Sequence, residues 1–237
     1  MNMRDLVQGS EAWRRARAGS LGASSMHEAI ARIKTGWGAS RYNLMGRLIA
    51  ERLSGRPIDM FQSAAMRWGN QMEPEARSAY EFLTGREIEL VGIVPHPKII
   101  GSHASPDCFV NEDGLLEIKC PETHTHIDTL LTGYFNACYA TQAQWQMACT
   151  GRNWVDLVSF DPRLPEEMQL HIKTIHRDPK RISELETLAA EFIAEMEAKI
   201  AALCLKAGVP VPERYTADMI VAEIEEEEDA DALALGF

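Results

Sequence analysis

One pattern constrains this chain more than any other. Ser105-Pro106-Asp107 is followed, ten residues after the aspartate, by Glu117-Ile118-Lys119, with Asp113-Gly114 between them. Asp-Gly is a strong signal for a tight reversal between two strands. Residues 99–110 and 115–120 are therefore predicted to form a β-hairpin. Side chains alternate along a strand, so Glu117 and Lys119 share one face, and Leu116, Ile118 and Cys120 share the other. The second face is apolar and can pack on a core. A turn over 111–114 brings Asp107 within a rung or two of Glu117. Two carboxylates and one ammonium then converge.

Hard cations such as Mg²⁺ take oxygen ligands and keep several waters. Two or three carboxylates with a substrate phosphate are a common arrangement. Such a cation lowers the pKa of a bound water and offsets charge on phosphorus. A nearby lysine can orient the water or stabilise the charged transition state. A Glu-x-Lys alone reads as a surface pair worth under ~1 kcal/mol. The matched upstream Pro-Asp and the intervening turn reverse that reading.

Two further side chains join the pattern. In a helix predicted over 61–83, Gly69, Glu73, Ala76 and Tyr80 fall on one stripe. A glutamate among small and aromatic residues is either an edge residue in solvent or part of a site. In a nearly all-apolar helix over 136–149, Cys138, Gln142, Trp145 and Cys149 form another stripe. An inward glutamine needs hydrogen-bond partners, whether in the core or at a site. His124 and His126 are two apart, but nothing nearby completes a zinc set, so they read as lining a polar loop. The five cysteines include no Cys-x-x-Cys pair, which fits reduced, buried thiols.

The remaining elements follow from periodicity and breakers. Helices are predicted over 10–17, 23–33, 41–53 (with Ser40 as N-cap) and 180–206. Strands are predicted over 87–94, 154–160 and 168–175. Helices, then a mostly antiparallel sheet, then helices on it indicate one mixed α/β domain over 1–212. Residues 213–237 read as a flexible acidic tail. The net charge is −11; setting aside Glu223, Glu225 to Glu228, Asp229 and Asp231 leaves −4 for the rest. The totals do not favour nucleic acid, but distribution matters more than sum. No apolar run approaches the ~18 residues a membrane helix needs, and no signal-peptide order is present, so the cytoplasm is the expected compartment.

Several pieces occur in one order. They are Gln8-Gly9-Ser10-Glu11-Ala12-Trp13, Arg17-x-Gly19, Ala23-Ser24, Trp68-Gly69-x-x-x-Glu73, Ser105-Pro106-Asp107, Glu117-Ile118-Lys119-Cys120-Pro121 and Tyr139-x-x-Gln142-x-Gln144. Together they resemble bacteriophage lambda exonuclease and its relatives, phage recombination exonucleases with a PD-(D/E)xK core, over roughly residues 7 to 200. The resemblance implies a restriction-endonuclease-like α+β core, a central mixed, mostly antiparallel sheet flanked by helices. It implies a 5′→3′ exonuclease on linear duplex DNA that leaves 3′ single strands for annealing recombination. It also implies a ring-shaped homotrimer and a single-strand annealing protein as partner, in a bacterial host cell.

Residue by residue, the resemblance makes Asp107, Glu117 and the carbonyl of Ile118 the metal ligands. The metal would be Mg²⁺, two per site, with Mn²⁺ as substitute. Lys119 would position or activate the attacking water. Glu73 and Gln142 would support that water and the metals, Glu73 through water. Arg17, Ser24 and Ser105 would bind the 5′-phosphate, with Lys34 as a second cation. Met66 would be the wedge that unstacks the end pair. Cys108 departs from the family's usual glycine. Other PD-(D/E)xK activities (an endonuclease or a single-strand nuclease) and a non-catalytic DNA-end binder are the competing readings.

Overall fold

The structure is a computed structural model that describes residues 3–58 and 63–214, with positions 219 and 222. The acidic run at 223–231 lies outside the described residues, as do 61–62 of the helix expected from residue 61. Helix α1 (Glu11–Arg17) is capped by Ser10, whose hydroxyl accepts from the Trp13 N–H at 3.1 Å. Strand β1 (Leu21–Gly22), a 3-10 turn and the one-turn helix α2 (Met26–Ala29) follow, then a small hairpin of β2 (Arg32–Ile33) and β3 (Gly36–Trp37). The continuous helix expected over 23–33 is thus broken. Its end is taken by tertiary donors: Arg41 donates to the Ala29 carbonyl at 3.1 Å and Gly38 N–H to that of Ala31 at 2.8 Å.

Helix α3 (Ala39–Ser54) starts from Gly38, not from the expected Ser40. A Cβ at 38 would press on Ala31 at 3.3 Å. Helix α4 (Ala64–Thr84) is capped by Ser63 and closed by Gly85 in the left-handed region, φ +63°. The strand expected over 87–94 divides into β4 (Ile88–Leu90) and β5 (Val94–Pro95), which join different sheets. The N-terminal segment causes the break. Gly92 and Ile93 N–H groups donate to Arg4 and Met3 carbonyls at 2.7 and 2.9 Å. A Cβ at Gly92 would sit 2.4 Å from the Leu6 carbonyl oxygen.

The first arm of the expected hairpin is also two strands, β6 (Ser102–Ala104) and β7 (Cys108–Val110), interrupted at Ser105-Pro106-Asp107. The second arm is β8 (Gly114–Lys119). Helix α5 (Thr123–Thr132) occupies the segment read as a polar loop. It is followed by α6 (Ala137–Thr150), β9 (Trp154–Phe160), β10 (Leu170–His176) and α7 (Pro179–Ala207). The main sheet has the order β10-β9-β8-β7-β4 and is antiparallel except for β8 with β9. A second sheet has the order β1-β6-β5.

Both faces of the main sheet are covered. Leu115 and Val155 pack with α6 and α7 through Ala143, Met147, Leu185 and Phe192. Leu116, Ile118 and Cys120 pack on the other face with Val158, Phe160 and the α4 residues Ala76 and Tyr80. The apolar face expected of 116, 118 and 120 is therefore the one that meets α4. Tyr80 donates to Asp156 at 2.8 Å, Arg86 pairs with the same carboxylate, and Thr174 donates to its other oxygen at 2.6 Å. This buried network fixes α4, and with it Glu73 two turns upstream, against β9 and β10.

Candidate active site

The pair β7–β8 runs in register from Val110↔Gly114 to Cys108↔Leu116 and then parts. The next ladder partner of Ile118 would be Pro106, which has no N–H to donate. The Pro106 carbonyl turns instead to Gln8, whose amide donates to it at 2.9 Å and to Val91 at 2.8 Å. The Asp107 side chain takes the vacated position and accepts the Ile118 N–H at 2.6 Å. In an extended strand the N–H and C=O of one residue point to the same edge. The Ile118 carbonyl therefore lies on the edge that Asp107 occupies.

Glu117 is almost fully buried, and its carboxylate is fully engaged. One oxygen accepts from Lys119 Nζ at 2.5 Å and Gln142 Nε2 at 2.6 Å. The other accepts from Gln146 Nε2 at 2.5 Å. Lys119 also lies over the Tyr139 ring, 4.9 Å from its centroid. Glu73 faces the same cleft in an ion pair with Arg77 one turn along α4. The cleft encloses about 530 Å³ and is lined by Glu73, Asp107, Glu117, Lys119 and Gln142, with Arg17, Ser24, Ser105 and Met66.

The electrostatics are those of crowded acids. Burial, then Glu117 and Glu73, pushes the Asp107 carboxyl well above the usual carboxylate range. Burial also raises Glu73; Arg77 opposes that shift and Glu117 adds to it. Burial alone would lower Lys119, but Glu117 and Asp107 more than offset it, and its pKa rises. Lys119 is therefore a firmly held ammonium. Arg17 is lowered to about 10 by burial and by Arg47, and stays charged at neutral pH.

Of the residues that the resemblance assigns to the site, Lys34 alone stands apart, on the exposed β2–β3 hairpin outside the cleft lining. Met66 is 52% exposed at the start of α4, on the cleft rim. The Ser105 hydroxyl is buried without a hydrogen-bond partner among the described residues. Gln144, part of the motif read with Gln142, points elsewhere: it bridges the His176 carbonyl and the Asp178 N–H. His126 is in α5, fully buried between Ser159 and the Met168 carbonyl. Cys108 is buried in regular extended backbone; among described non-glycine residues only Asn111 has positive φ, so glycine is not required at 108.

Two site residues were missed. Gln146 is one helical turn beyond Gln142, a spacing that could have shown it. Gln8 was quoted only as part of a motif.

Among the described residues, no three His, Cys, Asp or Glu side chains stand close enough to chelate an ion as they are. The donors that do converge are Asp107, Glu117 and the Ile118 edge, all hard oxygens. Burial first, and then Glu117 and Glu73, disfavour a bare charge on Asp107, which a cation would relieve. This donor set fits a hard divalent cation.

A mixed sheet covered by helices, with paired acids and a lysine where two central strands part, defines a nuclease of the restriction-endonuclease-like class. Residues 12–153 match the YqaJ-like viral recombinase domain. The chain is 45% identical to the alkaline exonuclease LHK-Exo from Laribacter hongkongensis, over 84% of this chain and 98% of that one, with a TM-score of 0.79. The crystal structure of LHK-Exo in complex with dAMP matches with the same figures. A phage related exonuclease from Haemophilus somnus 129PT shares the fold at 15% identity, with a TM-score of 0.59 over 76% of this chain and 96% of that one. No curated protein sequence matches. The chain belongs to the YqaJ-like viral recombinase family, whose members are lambda-exonuclease-like DNA exonucleases.

Proposed function

We propose that the protein is a Mg²⁺-dependent 5′→3′ exonuclease that degrades one strand of linear duplex DNA and leaves 3′ single-stranded tails for annealing recombination. The observation that carries this reading is the Asp107–Glu117–Lys119 cluster at the parting of β7 and β8, with Arg17 lining the same cleft. The dAMP bound by LHK-Exo supports a mononucleotide as product.

Asp107, Glu117 and the Ile118 carbonyl would hold the divalent cation, two per site, with Mn²⁺ as substitute. When bound, it supplies Lewis acidity, lowering the pKa of water and offsetting charge on the phosphorus. Gln142 and Gln146 hold the Glu117 carboxylate in one orientation. Lys119, kept protonated by two acids, acts as a donor: it orients the attacking water or stabilises a phosphate oxygen. Glu73 accepts hydrogen bonds from water in the cleft. Arg17, Ser24 and Ser105 receive the terminal 5′-phosphate and so set the distance from strand end to scissile bond. The unpartnered Ser105 hydroxyl supports that role. Met66, exposed on the rim, would wedge against the end base pair.

A homotrimeric ring would account for processivity, since release would need ring opening or run-off. It also limits the need for positive charge to the channel, consistent with a net charge of −11. The partner would be a single-strand annealing protein. Among the described residues no helix is long and apolar enough to cross a membrane.

The test compares linear and covalently closed circular duplex with Mg²⁺, Mn²⁺ or chelator. Metal-dependent nucleotide release from the linear form, with the closed circle intact, is expected. Nicking of the circle would make the protein an endonuclease. No release with either metal would make it a non-catalytic end binder.

A further inference from the structure

Arg17 lines two cavities. One is the cleft with the acids. The other, about 260 Å³, opens on the far side of Arg17 and is lined by Arg14, Arg47, Ser20, Ser25 and His103 among others. Trp13, Arg17 and Met66 border both, so the two spaces adjoin. The second cavity contains no residue of the acid cluster.

Its charges are unbalanced. Arg17 and Arg47 are both half-buried. Arg47 is close enough to disfavour charge on Arg17. Among the described residues no carboxylate lies within ion-pair distance of either. The acid in the lining, Glu51, accepts the Gly19 N–H at 2.9 Å and the Ile58 N–H at 3.4 Å, and with Glu117 it offsets part of the charge on Arg17 from beyond ion-pair distance. Among the described residues Arg47 has a single long hydrogen bond, to the Ser25 hydroxyl at 3.4 Å. Two guanidiniums sharing a recess with so little compensation are a site for an anion.

Arg17 is also held rigidly. Its guanidinium stacks on Trp13, 3.9 Å from the ring centroid, and its Nε donates to His103 Nε2 at 3.2 Å. Since Nε2 accepts, the ring proton is on Nδ1, which faces the Ser20 hydroxyl at 2.9 Å. Burial and Arg17 hold His103 down to about 3, so it is neutral and adds no charge. Arg17 is thus a fixed partition between the cleft and the second cavity, with guanidinium groups available to both.

We propose that the cavity beyond Arg17 is a second phosphate subsite, in which Arg47 receives a phosphate group lying on the 5′ side of the terminal phosphate held by Arg17, Ser24 and Ser105, with Arg14, paired to Glu11 at 3.3 Å, at its exposed edge. The proposal rests on that assignment of the terminal phosphate. The volume is below the roughly 300 Å³ at which drug-sized ligand sites begin, so it suits a phosphate with a sugar, not a stacked nucleotide. Two kinds of strand end present such a group: a 5′-triphosphate, and a 5′-monophosphate on a one-nucleotide overhang. The enzyme would then accept ends that extend past the register of a blunt monophosphorylated duplex.

The experiment measures equilibrium binding of fluorescent duplexes to the full chain in chelator, where no cleavage occurs. Four ends are compared: 5′-hydroxyl, 5′-monophosphate, 5′-triphosphate, and 5′-monophosphate on a one-nucleotide overhang. Affinity should rise from hydroxyl to monophosphate, and again by roughly tenfold to one or both extended ends, the size expected of a charge-assisted contact. Arg47→Met should remove the second rise and reduce the first less. Arg47→Lys should retain part of the second. Whichever extended end shows the second rise identifies the source of the phosphate.

If neither extended end binds more tightly than the monophosphate, the second subsite is refuted while the terminal-phosphate assignment stands. Equal loss of both rises in Arg47→Met refutes it as well, since Arg47 would then serve the first phosphate. Absence of the first rise refutes the terminal-phosphate assignment itself.

Discussion

The Asp107 carboxylate accepts the main-chain N–H of Ile118 at 2.6 Å, in the position a ladder bond from residue 106 would occupy. Pro106 has no N–H to offer the Ile118 carbonyl, and its own carbonyl accepts from Gln8 instead. An acid is thereby fixed beside a strand carbonyl, and the neighbouring residues Glu117 and Lys119 project into the same cleft. Site geometry is a consequence of how one strand pair ends.

Asp107→Asn should stabilise the metal-free protein while abolishing cleavage. The native Asp107 carboxyl is raised by burial and by Glu117 and Glu73. A raised acid holds its proton longer in the native state, so stability falls as pH rises from the unfolded carboxylate range through the raised native value. Asparagine keeps an oxygen for Ile118 and removes that charge. Thermal melts above neutral pH in chelator should show the variant higher by roughly 2–4 °C, the response of a chain this size to about 1 kcal/mol. Wild-type activity should change in the opposite sense, falling as pH drops and Asp107 and Glu73 take up protons.

Lys119→Met should lower the rate of nucleotide release by about 10²–10³-fold, the range for losing one preorganised donor. DNA affinity should change far less. Single-turnover rates alongside binding in chelator separate the two. A variant that binds poorly but cleaves normally once bound would assign Lys119 to DNA binding only.

Gln142→Ala and Gln146→Ala should each loosen Glu117. Loss of a partner that orients a metal ligand typically costs 10–100-fold in metal affinity. The Mg²⁺ concentration for half-maximal rate should rise by that order. Unchanged metal dependence in both variants would show that Glu117 needs neither amide.

Much of this site is legible in the amino-acid sequence. The Asp-Gly turn fixed the hairpin register, and alternation placed Glu117 and Lys119 together. The stripe of Glu73, Ala76 and Tyr80 gave the inward face of α4. What was not legible depended on distant chain segments. Nothing local shows that the N-terminal segment crosses at Gly92 and splits a strand, or that Arg41 ends α2 through the Ala29 carbonyl. Helix α5 is not legible from its two histidines, because His126 is held as a buried hydrogen-bonding core residue by Ser159 on a distant strand. Lys34 was carried by resemblance alone, and its exposed hairpin lies outside the cleft.

Asp156→Ala should destabilise the fold by about 2–4 kcal/mol. It removes the buried acceptor of Tyr80, Thr174 and Arg86 and leaves two hydroxyl protons without an acceptor. Because α4 carries Glu73, activity should fall at temperatures where the variant is still folded. Denaturant unfolding with activity measured below the transition checks both parts.

The most direct test of the account is a time course on a linear duplex with one 5′-phosphorylated end and one 5′-hydroxyl end, each strand labelled separately. In Mg²⁺, mononucleotides should leave progressively from the phosphorylated 5′ end while its complementary strand stays intact, and chelator should stop the release. Release that begins at 3′ ends, or that ignores the terminal phosphate, would contradict it.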